Sequence, residues 1–133
     1  MPTGLVIFAH GSRIGSANDA VRSVAAAVAQ AGGFPLVEAA FLDLAQPNLA
    51  DAVKLLVERG ADRILVLPYF LTLGLHMQRD LPAIAERISL ENNSLEIRIA
   101  PPLDEHPALA EILVGRAREA LTAWPETEAD RQD

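Results

Sequence analysis

Three histidines and one aspartate at the end of an apolar run hold most of the chemistry this chain offers. His76 and Asp80 stand four residues apart in the stretch LVLPYFLTLGLHMQRDLP, Leu65 to Pro82, and His10 follows an apolar run within FAHGSR. Asp43 ends a second apolar run, and His106 stands directly before Pro107. Neutral imidazole is a borderline ligand for divalent first-row metals, and its ordinary pKa of about 6.5 lets it also accept a proton at cellular pH. The chain has no cysteine, which excludes disulfides, thiolate metal sites, cysteine-held iron–sulfur clusters and a catalytic thiol. Any metal chemistry must use histidine and carboxylate.

Positioning these residues requires short buried strands that end where they stand. Gly4 to Ala9 (GLVIFA) is unbroken and rich in Val and Ile, the pattern of a parallel strand covered on both faces, and it hands over directly to His10. Residues 16 to 31 place Val21, Val24, Ala25 and Val28 on one helical stripe, stopped by Gly32 and Gly33. Leu36 to Leu42 reads as a second strand ending at Asp43. Pro47 then opens a helix with the stripe Leu49, Ala52, Val53 and Leu56, closed at Gly60. Arg63 to Leu67 is the third strand, and His76 lies in the loop after it. Asp80 occupies an N-cap position and Pro82 a first turn, which predicts a third helix from there with Leu81, Ile84, Ala85 and Ile88 toward the core. Leu95, Ile97 and Ile99 alternate with Glu96 and Arg98, as in an edge strand; after Pro101 and Pro102 a last helix carries Leu109, Ile112, Leu113 and Ala117.

The order is strand then helix, repeated. Right-handed crossovers make of it an α/β fold: a four-stranded parallel sheet, expected order 2-1-3-4, with helices on both faces in a flavodoxin-like arrangement. The connection reverses direction between strands one and three, and open α/β sheets bind ligands in the crevice at the carboxyl ends of such strands. His10 and His76 flank that crevice, Asp43 lies on the same rim, and His106 follows strand four.

Composition sets outer bounds. At 133 residues and 50% apolar content, the expectation is one domain over residues 1–124, followed by a polar, frayed tail over 125–133. A net charge of −7 with no basic run argues against nucleic acid, whose phosphates draw on clustered Lys and Arg. No apolar run reaches the ~18 residues of a membrane span, and the start MPTGLVIFAHG lacks the features of a signal peptide, so the expected location is cytoplasmic with no membrane partner.

FAHGSR at residues 8–13, AAFLDLAQPNL at 39–49, PYFLTLGLHMQRDLP at 68–82 and APPLDEHPAL at 100–109 together resemble the short sirohydrochlorin chelatases of the CbiX and SirB type, in order over nearly the whole chain. The resemblance implies a lyase-type chelatase that inserts cobalt, ferrous iron or nickel into sirohydrochlorin or a related tetrapyrrole, in cobalamin or siroheme biosynthesis. The metal is a substrate, and no prosthetic group is implied. The family's two site histidines map onto His10 and His76, and its acidic residue onto Asp43, a methylene shorter than the Glu of many members. Longer relatives carry two such domains around one cleft, so a chain of this length is expected to act as a homodimer.

These residues suit that chemistry. Two imidazoles can strip water from an ion and receive pyrrole protons, while a site with open positions releases what a closed four-ligand cage would trap. Arg13 and Arg79 can pair with substrate carboxylates through bidentate contacts, or stand as solvated surface arginines. Ser12 can bond the substrate or shape a turn. Tyr69, with Phe70 and Leu71, can wall a pocket or a dimer contact, or pack in the core. Asp80 reads as an N-cap or as a residue orienting His76, Met77 as packing, and His106 as a cap or rim residue rather than a third ligand. A non-enzymatic metal or tetrapyrrole carrier would use the same ligands, and turnover separates the two.

Overall fold

The computed structural model describes residues 2–126 and divides after Pro102 into two compact units. The first holds β1 (Thr3–Ala9), α1 (Gly15–Gly32), β2 (Val37–Phe41), α2 (Leu49–Glu58), β3 (Arg63–Pro68), α3 (Leu75–Glu91) and β4 (Glu96–Ile99). Its strands pair in parallel in the order β2-β1-β3-β4, as the alternation of strand and helix predicts. β1 lies between β2 and β3, with Phe8 opposite Ala40 on one side and Pro68 on the other.

Alternate residues of each strand face opposite ways, so the sheet has two separate cores. On one face Val6, Phe8, Ala40, Ile64 and Val66 pack with Leu49, Val53 and Leu56 of α2 and Leu81 and Ile88 of α3. On the other, Ile7, Ala9, Ala39 and Phe41 pack with Ala25, Val21 and Val28 of α1, the stripe read from the sequence. α2 sits directly over β1: a Cβ on Gly4 would stand 2.9 Å from the Ile64 Cδ1 and 3.1 Å from the Leu56 Cβ. β4 is the edge strand, with Glu96 and Arg98 exposed and Ile97 and Ile99 half-buried.

Two helix starts differ from expectation. α2 begins at Leu49 behind Asn48, whose side chain accepts from the Asp51 N–H; Pro47 precedes the cap and does not open the helix. α3 begins at Leu75, with Gly74 as its N-cap, so Pro82 lies inside the helix and Asp80 is not a cap. The physical reason is a longer apolar stripe. Met77 and Leu73 pack against the same core as Leu81 and Ile88, and the helix extends upstream to bury them even though Pro82 forgoes its bond to the Gln78 carbonyl.

The second unit contains α4 (Pro107–Ala123), capped by His106, whose ring accepts from the Ala108 N–H at 3.0 Å. None of its residues is buried, and Ile112 and Leu113, expected on an apolar stripe, are exposed. From residue 127 onward the expected tail lies outside the described residues.

Candidate active site

The pairing of the strands runs on past their ends, and this builds the rim. Beyond β1 and β2, the Leu42 N–H donates to the Ala9 carbonyl at 2.9 Å and the Asp43 N–H to the His10 carbonyl at 3.0 Å. On the other side of β1 the Tyr69 N–H donates to the Phe8 carbonyl at 2.7 Å. His10 is thereby set between the end of β2 and the end of β3. The contact with the β2 end is close enough to require glycine next in sequence. Gly11 has φ +89°, and a Cβ there would lie 1.8 Å from the Asp43 carbonyl oxygen.

His10 is exposed, and its ring stands edge-to-face on Phe70, with centroids 4.3 Å apart and planes at 86°. Phe70 is 6% exposed and packs in turn at an edge on Phe8, 5.9 Å away. His76, past the connection from the neighbouring strand, stands exposed in the first turn of α3, not in the loop before it. Gly74 offers no side-chain cap there, so the first-turn N–H groups remain directed at the rim. Asp43 is exposed and its Oδ1 accepts from the Leu44 N–H at 2.8 Å. Among the described residues no three His, Asp or Glu side chains come together closely enough to hold a metal ion. The backbone brings Asp43 beside His10, but Asp43 and the two histidines do not form a closed cluster.

The loop after His10 is fixed by a residue the sequence reading missed. Asn18, buried at 7% exposure, accepts the Ser12 N–H at 2.9 Å and donates to the Ser12 carbonyl at 2.7 Å. The Ser12 hydroxyl accepts from the Ile14 N–H at 3.0 Å, which makes it a turn-former that retains its own proton for donation. The available signal was position: Asn18 is a polar residue on the stripe that continues through Val21, Ala25 and Val28. Arg13, Arg79 and Asp80 are exposed. Arg79 follows His76 by one helical turn and shares its side of α3.

A second missed feature is apolar. Of the nine exposed large apolar side chains among the described residues of the first unit, Ile14, Leu42, Leu44, Tyr69 and Leu71 belong to the three connections at the carboxyl rim, and Leu75 opens α3 there. Such a concentration around exposed polar side chains is the pattern of an interaction surface. Tyr69 and Leu71 are therefore rim residues, while Phe70 between them belongs to the core.

A family model described as CbiX matches residues 4–120. The chain belongs to the CbiX family. It is 35% identical over 119 residues to the sirohydrochlorin cobaltochelatase of Sulfolobus acidocaldarius, covering 90% of this chain and 93% of that protein. It is 32% identical to the chloroplastic sirohydrochlorin ferrochelatase of Arabidopsis thaliana, covering 90% of this chain but only 53% of that longer protein. The crystal structure of a cobalamin biosynthesis CbiX protein from Marinobacter aquaeolei superposes with a TM-score of 0.81 at 27% identity, over 92% of this chain and all of that one. The CbiX match spans every motif that carries His10, Asp43 and His76.

Proposed function

We propose that this CbiX protein inserts a divalent metal, cobalt or ferrous iron, into sirohydrochlorin. The observation that carries the reading is the rim itself: one exposed histidine at the carboxyl end of β1 and another in the first turn of the helix that follows β3, amid exposed apolar side chains, in a chain of the CbiX family. Insertion replaces two pyrrole protons of the macrocycle with the ion. In this reading His10 and His76 bind the metal and, as each gives it up to the macrocycle, the freed ring nitrogen receives a pyrrole proton, with Asp43 supplying compensating charge beside His10. Tyr69 and the other apolar rim residues lie against the macrocycle, and Arg13, Arg79 and the Ser12 hydroxyl take its carboxylates. Residues 1–124 act as the functional domain. Open coordination suits the task, since the macrocycle must displace protein donors from the ion.

The apolar rim also supports a homodimer in which two copies enclose the macrocycle. A flat substrate held on a single open rim would leave one face in water, and a second copy would cover it.

The test is an anaerobic absorbance assay of the protein with sirohydrochlorin and cobalt, ferrous iron or nickel, against the same mixture without protein. Many turnovers are expected with wild type, and none above background with His10→Ala or His76→Ala, each with an unchanged circular dichroism spectrum. A spectrum that shifts only in proportion to added protein would mean a carrier. Normal turnover by either folded variant would remove that histidine from the mechanism.

A further inference from the structure

A histidine that binds a metal is ordinarily oriented through its second ring nitrogen, which donates to a carboxylate, a carbonyl or water. Among the described residues no hydrogen bond joins the His10 imidazole to protein, and its ring packs edge-to-face on Phe70, at 4.3 Å and 86°. Phe70 is itself held, at 6% exposure, within the core cluster and against Phe8 at 76°. The Tyr69 N–H bond to the Phe8 carbonyl fixes the backbone just before it. Phe70 lies in the connection from β3 that leads into α3, whose second residue is His76.

We propose that Phe70 is the positioning residue for His10, setting the imidazole's orientation by edge-to-face packing where other sites use a hydrogen bond, and linking that orientation to the connection that leads into the helix turn carrying His76. The inference rests on the chelatase reading for the identity of the ligand and goes beyond it in assigning Phe70. An aromatic pair of this geometry has a preferred angle as well as a contact area, so an aliphatic side chain of similar volume fills the space without fixing the ring.

The experiment compares wild type, Phe70→Leu, Phe70→Tyr and, as a core control, Val53→Ala. Cobalt(II) affinity is measured by calorimetry, and the imidazole carbon-bound protons are followed by NMR. Expected for Phe70→Leu are a cobalt Kd raised about tenfold, a higher KM for cobalt at nearly unchanged kcat, and displaced His10 signals with those of His76 in place. Phe70→Tyr keeps the ring and stays near wild-type affinity, as does Val53→Ala despite lower stability. A folded Phe70→Leu protein with a Kd within twofold of wild type overturns the proposal, and so does an equal loss in Phe70→Tyr. If Phe70→Leu does not fold, the wild-type spectrum decides: His10 signals without the ring-current displacement of a neighbouring aromatic overturn it. Wild type that binds cobalt but never inserts it defeats the chelatase reading alone, because the affinity comparison still stands.

Discussion

Gly11→Ala tests whether the two carboxyl-end loops are held in register by backbone contact. A Cβ at Gly11 would stand 1.8 Å from the Asp43 carbonyl oxygen and 3.0 Å from its carbon. Carbon and oxygen normally approach no closer than ~3.3 Å, so the two backbones must part by roughly 1.5 Å. The bond from the Asp43 N–H to the His10 carbonyl is already 3.0 Å long and does not survive that separation. Two losses add: about 1–2 kcal/mol for an alanine at φ +89°, and about 1 kcal/mol for the bond. A total of about 2–3 kcal/mol corresponds, in a chain of this size, to a Tm lower by roughly 6–15 °C. Urea and thermal denaturation give the stability, and the insertion assay gives kcat/KM, which falls as Asp43 is pushed away from His10. Gly15→Ala is the control, because a Cβ there meets nothing within 4 Å and its φ is not positive; it leaves stability unchanged or slightly raised. Gly11→Ala within about 0.5 kcal/mol of wild type would refute the contact argument, and a full stability loss with normal insertion would refute its link to the site.

Asn18→Ala removes both bonds to Ser12 and is expected to lower stability by about 1–3 kcal/mol and to slow insertion. Asn18→Asp does not rescue it, because the second carboxylate oxygen would face the Ser12 carbonyl; urea denaturation of both variants checks this. Pro82→Ala restores the N–H that α3 lacks. The gain of up to ~3 kcal/mol in a helix interior, less ~0.4–1 kcal/mol for the freer unfolded chain, predicts a protein more stable by up to about 2–2.6 kcal/mol. A lower Tm for Pro82→Ala would mean that the helix is not continuous through residue 82.

The sheet was legible because the strands are near-continuous apolar runs that end at punctuating residues. Gly4 to Ala9 and Arg63 to Leu67 could be nothing longer than strands, and their alternation with amphipathic stripes leaves the order 2-1-3-4 as the natural topology. The start of α3 was misread because Pro82 and Asp80 are strong local signals, whereas the burial of Leu73 and Met77 that overrides them is a tertiary effect. Leu109, Ile112, Leu113 and Ala117 recur at helical spacing in α4, yet no residue of α4 is buried; periodicity reports which residues share a face but not what covers it. His10 and Asp43 were placed on one rim by topology alone. Their mutual backbone bond, the Asn18 clamp on Ser12 and the Phe70 contact depend on side-chain direction and loop path, which no spacing rule supplies.

On the proposed reading, the two histidines differ in how firmly they are held, and that difference suits delivery. His10 is fixed from three directions: its carbonyl by the Asp43 N–H, its ring by Phe70, and the loop two residues on by the Asn18 amide. His76 stands in the first turn of α3, behind a glycine that provides no side-chain cap, and helix ends of this kind open at lower free energy than a packed core. A pair of equally rigid ligands would define a fixed bite and resist giving up the ion. With one rigid donor and one compliant donor, the metal keeps a defined place above the sheet while one bond is exchanged for a macrocycle nitrogen. The exposed apolar rim serves the same end, since it surrounds both donors without adding a third that would hold the metal back.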